Sequence, residues 1–257
     1  MSATLKAEWS KSRTLRGNGW LLLAVVAGTV SISAAGGALT HVSGVTPGGD
    51  STKLSLSGVY LGQLAVAALA IMAISEEYAT GMIRVTFAAT PRRVAVLMAK
   101  AATLAAVSVV AGVAAVAGCL AVGRLTLPAD GLDPAHGYAL ISVGSPATVR
   151  AAGGTVIYLT LIALLSLGVG TLIRDTAVSI GALVALLYIP PLLAHIVGGT
   201  LGEHIKEIAP TSAGLAIQST TNLHSLPIQP WAGIGVLTAW AVASLLLAAM
   251  TLRVRDA

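Results

Sequence analysis

Six long intervals of this sequence contain no charged residue, and each is long enough to cross a bilayer. A helix that rises 1.5 Å per residue needs about 20 apolar residues to cross a hydrocarbon core about 30 Å thick. A soluble domain carries about 25% charged residues, whereas this chain carries 10%. The sequence therefore predicts an integral membrane protein. The 15 Lys and Arg residues and the 10 Asp and Glu residues all lie outside the intervals 17–49, 54–75, 101–123, 151–173, 176–202 and 208–252.

The apolar intervals predict an all-α fold, a polytopic bundle of six transmembrane helices in one domain over residues 1–257. Runs such as 21–26 and 182–187 lack the alternation of polar and apolar residues that barrel strands show. The segments between the spans are shorter than the roughly 50 residues that a further domain needs. The predicted spans cover approximately 20–39, 54–75, 101–123, 153–173, 176–197 and 231–252.

The placement of Lys and Arg predicts the orientation, because short cytoplasmic loops carry an excess of both residues. With the N-terminus inside, eleven of them are cytoplasmic and four are outside, namely Lys53, Arg124, Arg150 and Lys206. Both termini are thus predicted to be cytoplasmic, and 124–150 and 198–230 are outer segments, the latter with two short helices. The net charge of +5 then reflects topology and anionic lipid, and we expect no nucleic-acid partner.

The residues that catalysis or ion coupling would need are missing from the sequence. Cys119 is the only cysteine, so neither a disulfide nor a thiolate metal site is expected. None of the five lysines follows a glycine, so the chain has no P-loop. An ion-coupled carrier usually places an ionisable group inside a span, and no span interior carries Asp, Glu, Lys or Arg; we interpret His195, near the outer end of the fifth span, as structural. We therefore predict no catalytic residue, no metal site and no cofactor in this chain.

The first residues of the chain combine basic side chains with an aromatic one. Trp9, Lys11, Arg13 and Arg16 lie within residues 2–16, just before the first span. This composition predicts a short N-terminal interfacial helix on the inner leaflet, with membrane lipid as its partner. An unstructured basic tail is the alternative.

Two further features concern packing and movement of the spans. Gly58 and Gly62 form a GxxxG step, which allows close approach between helices in lipid. Pro190 and Pro191 lie in the fifth span, where proline removes a backbone hydrogen bond. We interpret them as a bend and a possible gate element, with simple helix termination as the equal alternative.

The segment between the second and third spans is the most polar cytoplasmic stretch. Tyr78, Ile83 and Phe87 recur near helical spacing, which predicts an apolar stripe on a short cytoplasmic helix. Thr90 and Pro91 then read as an N-cap and a first helical position. An apolar stripe with no soluble domain to cover it implies a partner protein. A helix lying on the inner leaflet is the alternative.

Three motifs carry a resemblance to a known family. The pattern Glu76-Glu77-Tyr78-x-x-Gly81-x-Ile83-Arg84, followed by Thr90-Pro91-Arg92-Arg93, resembles the cytoplasmic loop of type-2 ABC transporter permeases. The opening Glu8-Trp9-x-Lys11-x-Arg13-Thr14-x-Arg16 is similar to their N-terminal interfacial helix. Gly168-x-Gly170-x-x-Ile173-Arg174 fits the same family.

The resemblance implies a permease subunit of an ATP-binding-cassette exporter in the bacterial cytoplasmic membrane. It implies two cytoplasmic ATPase subunits, which would hold the ATP and Mg²⁺, and a second permease subunit, identical or paralogous. The charge-free spans favour a lipophilic or amphipathic cargo. A second contact with the ATPase would involve Arg174 and Asp175. The residues expected to couple to the ATPase are Glu76, Glu77, Tyr78, Thr80, Gly81, Ile83, Arg84, Phe87, Pro91, Arg92 and Arg93.

A second class of function fits the same observations. The chain would then be a membrane assembly or regulatory protein, whose cytoplasmic helix between spans two and three recruits a partner without any transport.

Overall fold

A computed structural model of the protein describes residues 16–42, 49–79, 93–129, 132 and 140–254. All regular structure within these residues is helical, which confirms the all-α fold. The α-helices are α1 (Arg16–Val42), α2 (Ser51–Ser55), α3 (Val59–Ala79), α4 (Arg93–Ala129), α5 (Pro146–Ile173), α6 (Thr176–Val197), α7 (Gly199–Ile208), α8 (Pro210–Leu215) and α9 (Pro230–Val254). Two 3₁₀ turns, Ala216–Gln218 and Leu223–Ser225, lie between α8 and α9.

Four helices in the described part of the chain are long and apolar enough to cross a membrane, which indicates a membrane protein. They are α4, α5, α6 and α9, and they correspond to the third to sixth predicted spans. Helices α1 and α3 carry the first two predicted spans, but their apolar stretches, Leu22–Gly36 and Val59–Ser75, are shorter. The count of six crossings therefore stays a prediction.

The second apolar interval does not form one helix from Leu54, as its hydropathy predicts. Helix α2 ends at Ser55, and the chain makes a tight turn before α3 begins at Val59. The turn has partners of its own: the Ser55 hydroxyl donates to the Cys119 carbonyl (2.7 Å), and the Gly58 amide donates to Ser33 Oγ (3.0 Å). The Gly58 amide thus bonds to a distant side chain, while the neighbouring amides of Ser57 and Val59 bond to carbonyls three residues back.

Helices α1 and α3 run antiparallel and in close contact. A Cβ added to Gly58 would overlap the Thr29 carbonyl oxygen, and one added to Gly62 would overlap Thr29 Oγ1. Further along, Gly36 faces Ser57. The GxxxG step therefore lies directly against α1, where the absence of side chains lets the two backbones approach.

Two other helices are longer than their predicted spans. Helix α4 has 37 residues, about 55 Å at the usual rise, and it includes Arg124, which the sequence analysis placed in an outer loop. An alanine-rich sequence sustains it until Pro128 in its last turn. Helix α5 starts at Pro146 because Ser145 Oγ accepts the Thr148 amide (3.1 Å) and caps the first turn.

Helix α6 has the bounds predicted for the fifth span, residues 176–197. It continues through Pro190 and Pro191 and ends six residues later, at Val197, with Gly198 as its C-cap. The alternative that the helix terminates at the two prolines is therefore wrong. The two prolyl nitrogens cannot donate helical hydrogen bonds, but the helix continues past them. Membrane helices tolerate such a loss when neighbouring groups contact the freed carbonyls.

Helix α5 is the centre of the bundle. It packs against α3, α4, α6 and α9, and its side chains Tyr158, Ile162 and Leu165 are fully buried. Helix α6 lies at the edge, with most of its apolar surface exposed. The bundle has two ends, which we name after charged residues. The Arg174 end holds Ala79, Arg93, Arg174 and Val254, and the Asp50 end holds α2, α7, α8 and the 3₁₀ turns.

Candidate functional site

Most of the residues predicted to contact an ATPase fall outside the described residues. These are Thr80, Gly81, Ile83, Arg84, Phe87, Pro91 and Arg92, together with Trp9, Lys11 and Arg13 of the predicted interfacial helix. The structure describes the two margins of the predicted contact segment. Glu76, Glu77 and Tyr78 lie in the last turns of α3, Arg93 begins α4, and Arg16 begins α1.

Tyr78 and Arg174 are brought together at the Arg174 end of the bundle. The guanidinium carbon of Arg174 lies 5.2 Å from the centroid of the Tyr78 ring. A cation within about 6 Å of an aromatic centroid is attracted to the ring by about 0.5–2 kcal/mol, depending on exposure. Tyr78 and Arg174, which the sequence analysis singled out in separate motifs, therefore meet in the folded chain.

An apolar cluster packs against the Tyr78 side chain of this contact. Tyr78 packs against the cluster, which joins α3, α4, α5 and α9. Its buried members are Ile74, Leu97, Ala101, Leu167, Ala248 and Leu252. The end of α3 is therefore anchored to the other helices by apolar packing, with the Tyr78 ring between this packing and the Arg174 guanidinium.

The backbone of Arg174 has an unusual conformation for a residue with a side chain. Its φ is 63°, in the left-handed region that favours glycine, and a non-glycine residue pays about 1–2 kcal/mol there. Its amide donates to the Gly170 carbonyl (2.9 Å) and so ends α5. Glycine is the usual residue at this cap. Here the residue is an arginine, so the strained backbone carries a cationic side chain.

Asp175 starts the next helix immediately. Its Oδ1 accepts the Val178 amide (2.8 Å), which caps α6. The link between α5 and α6 is therefore only Arg174 and Asp175 long. No loop therefore separates the C-terminus of α5 from the N-terminus of α6.

The charged residues at the Arg174 end suit a contact surface. Arg174 follows the C-terminus of α5, and Arg253 lies in the last turn of α9, where cations interact favourably with the helix dipole. Lys100 is buried among the helices of this end. Among the described residues, no group of three or more His, Cys, Asp or Glu side chains is placed to hold a metal ion. The described residues of this end offer a binding partner charged side chains and the Tyr78 ring.

A buried polar network near the Asp50 end was missed by the sequence analysis. The Tyr158 hydroxyl donates to Gln63 Oε1, and Gln63 Nε2 donates to the Tyr60 carbonyl (2.9 Å). The same carbonyl accepts the Tyr188 hydroxyl (2.5 Å), and the Tyr60 and Tyr188 rings meet edge to face at 5.1 Å. Gln63 and Tyr158 are fully buried. The available signal was a glutamine within an apolar interval, which needs a partner in lipid.

Asp50 was also missed, because its role depends on a distant segment. Its carboxylate accepts hydrogen bonds from Lys53 near in sequence and from Thr220 and Thr221 far away. The only sequence signal was an aspartate in a turn before a short apolar run, which indicates a helix cap and nothing further.

Comparison with known proteins found no match to any family model and no match to a curated protein.

Proposed function

We propose that this chain is the membrane-spanning permease subunit of an ATP-binding-cassette exporter, driven by a separate cytoplasmic ATPase. The observation that carries the proposal is the motif between α3 and α4, Glu76-Glu77-Tyr78-x-x-Gly81-x-Ile83-Arg84. In the proposed complex this segment and the Arg174–Asp175 link both contact the ATPase. The adjacency of Tyr78 and Arg174 supports the idea that both belong to one contact surface.

The proposed mechanism begins with closure of the ATPase, which holds ATP and Mg²⁺. Closure displaces the segment that follows α3. Because the Arg174 guanidinium lies over the Tyr78 ring, the displacement reaches the link between α5 and α6. Helix α6 is the least buried of the four long apolar helices, so it meets the least resistance to movement. Pro190 and Pro191 in α6 remain candidates for a gate.

The proposed cargo is lipophilic or amphipathic. The outward face of α6 carries exposed aliphatic side chains, among them Ile189, Leu192 and Ile196, and a path along such a face offers no charge to a small ion. The path would lie between this chain and a second permease subunit, lined by the first, second and fifth predicted spans. Orientation in a bacterial cytoplasmic membrane, with both termini inside, belongs to the same proposal.

Purification from native membranes tests the proposal. We expect an ABC ATPase to accompany the tagged chain, and the variant Arg84→Glu to lower its recovery by about tenfold or more, because reversing a charge within a contact costs several kcal/mol. Arg124→Glu is the matched control, since Arg124 is exposed near the far end of α4, and its recovery should equal that of the unaltered chain.

Two outcomes would contradict the exporter. One is that no ATPase accompanies the unaltered chain; if another cytoplasmic protein does, the non-transporting recruitment function replaces transport. The other is that the Arg84→Glu chain retains the ATPase as well as the Arg124→Glu chain does.

A further inference from the structure

The Asp50 carboxylate joins two segments that lie far apart in the sequence. Oδ1 accepts the Lys53 amide (3.0 Å) and the Thr220 hydroxyl (2.7 Å). Oδ2 accepts the Thr220 amide and the Thr221 amide (3.1 Å). Within the described residues, three of these four donors belong to the segment between α8 and α9. Hydrogen bonds to an ionised carboxylate are roughly twice as strong as neutral ones.

A second charged residue holds the same segment. Arg150, in the first turns of α5, donates from Nη2 to the Ser219 carbonyl (2.5 Å). Residues 219–221 are therefore held by hydrogen bonds to the Asp50 carboxylate and to the Arg150 guanidinium. Both groups are fixed in position, Asp50 at the start of α2 and Arg150 on the central helix.

Residues 219–221 are the last part of a wedge-like segment that fills the Asp50 end of the bundle. Helix α8 and the 3₁₀ turn after it are almost entirely buried, and Ile217 is fully so. The wedge fits because glycines face it: a Cβ on Gly233 of α9 would overlap the Ala213 carbonyl oxygen. Its own Gly214 lies against the Tyr158 ring, where a Cβ would come within 2.6 Å. We name residues 210–221 the outer wedge.

Helix α7 and the outer wedge follow one another in the chain, and the connections before α7 and after the wedge are less tightly packed than the wedge itself. Gly198, between α6 and α7, and Gly199, the first residue of α7, have φ values of 60° and 58°, and no atom lies within 4 Å of a Cβ built on either. Beyond the wedge, Asn222, His224 and Ser225 are exposed. A glycine pair in open space is suited to act as a hinge, and the exposed stretch has little apolar burial to hold it in place.

We propose that Asp50 is the latch of the outer wedge: its carboxylate bonds to Thr220 and Thr221 keep the wedge seated, and they break when the outer end of the bundle opens. The opening step rests on the proposed function, in which cargo leaves at this end. The latch itself is a property of the chain alone. Asp50 is thus a positioning residue, acting through the wedge.

Asparagine at position 50 separates the latch from the local helix cap. Asparagine caps a helix as well as aspartate does, so Asp50→Asn leaves α2 capped by its one remaining carbonyl oxygen. Its amide nitrogen is a donor and cannot accept the Thr220 and Thr221 amides. Asp175→Asn is the matched control, because Asp175 caps α6 through the Val178 amide at the opposite end of the bundle.

The experiment is hydrogen–deuterium exchange of the full chain in lipid nanodiscs. We expect exchange in a peptide covering 216–225 to accelerate about tenfold or more in Asp50→Asn, because the protection of those amides follows the free energy of local opening. Asp175→Asn should exchange there as the unaltered chain does. Unchanged exchange in Asp50→Asn, or equal acceleration in Asp175→Asn, would overturn the latch.

A cysteine pair tests the opening step separately. Cys119 is buried, so Lys53→Cys with Thr221→Cys introduces the accessible thiols and keeps the Asp50 carboxylate, which binds these two residues through their backbone amides. In native membranes we expect MgATP with vanadate to slow disulfide formation between them at least severalfold. An unchanged rate, in membranes where the ATPase accompanies the chain, would refute opening at Asp50. If no ATPase accompanies the chain, the proposed function fails, and the exchange experiment still decides whether Asp50 is a latch.

Discussion

The two ends of the bundle each have an aspartate that caps a helix, and the two aspartates otherwise differ. Asp50 Oδ1 accepts the amide three residues later at 3.0 Å, and Asp175 Oδ1 does the same at 2.8 Å. Asp50 also binds Thr220 and Thr221 across the fold, whereas the hydrogen bond described for Asp175 is local. The same local motif therefore serves one end as a cap alone and the other as a tie between distant segments.

The difference extends to the way in which each end is closed. The Asp50 end is filled by the outer wedge and held by charge-assisted hydrogen bonds. The Arg174 end joins its helices through an apolar cluster and the contact of Arg174 with Tyr78. An end closed on itself has little surface left for a partner, while an end whose charges lie at helix termini can bind one. Under the proposed function, partner binding and cargo release therefore belong to opposite ends of the bundle.

The largest effect is expected where the wedge meets α9. Gly233→Ala would drive a methyl group into the Ala213 carbonyl, and overpacking of this kind costs about 1–3 kcal/mol or more. Gly235→Ala is the control on the same helix, because no atom lies within 4 Å of its Cβ, and it should be neutral or slightly stabilising. Thermal unfolding in detergent measures both, and equal melting temperatures would show that the wedge is loosely seated.

A smaller effect is expected in the buried network beside the wedge. Tyr158→Phe leaves Gln63 Oε1 without its donor in a fully buried site, at a cost of about 1–3 kcal/mol. Tyr188→Phe should cost less, because the Tyr60 carbonyl still accepts Gln63 Nε2. Chemical denaturation of the two variants gives the comparison. If Tyr188→Phe is the more damaging, the network is organised around the Tyr60 carbonyl and not around Gln63.

The smallest effect is expected at the Arg174 end and separates backbone strain from side-chain contact. Arg174→Ala loses the cation over Tyr78 and keeps the left-handed backbone, whereas Arg174→Gly loses the cation and relieves the strain. The glycine variant should therefore be more stable than the alanine variant by about 1 kcal/mol. Unfolding midpoints of the two variants measure the gap, and no gap would mean that Arg174 is not strained in solution.

Sequence reasoning succeeded where local chemistry decides the outcome. The bounds of α6 were predictable because Asp175 is a strong N-cap and Gly198 a strong stop. The early start of α5 was missed, since the predicted span began at 153, although Ser145 before Pro146 is an N-cap followed by a first-position proline. The break at residues 56–58 was not, because it depends on hydrogen bonds to Ser33 and Cys119, which no local pattern reveals.

The candidate site divides in the same way. The motif over 76–93 and the Arg174–Asp175 link were visible as separate patterns, but nothing in either pattern shows that Tyr78 and Arg174 touch. Asp50 is the sharper case. A turn aspartate predicts a cap within three residues, and its bonds to Thr220 and Thr221 exist only because α5 and α9 hold the outer wedge beside it.

Apolar length and the exclusion of charge are properties of each segment alone, so they identify this chain as a helical membrane protein before its fold is known. Contacts between distant polar groups depend instead on which helices pack together and at what register. A carboxylate, guanidinium or amide in apolar surroundings costs free energy unless it has a partner, so contacts among the few polar groups of this chain are favoured. Packing decides which of them meet, and here it brings Asp50 to Thr220 and Thr221 and Arg174 to Tyr78.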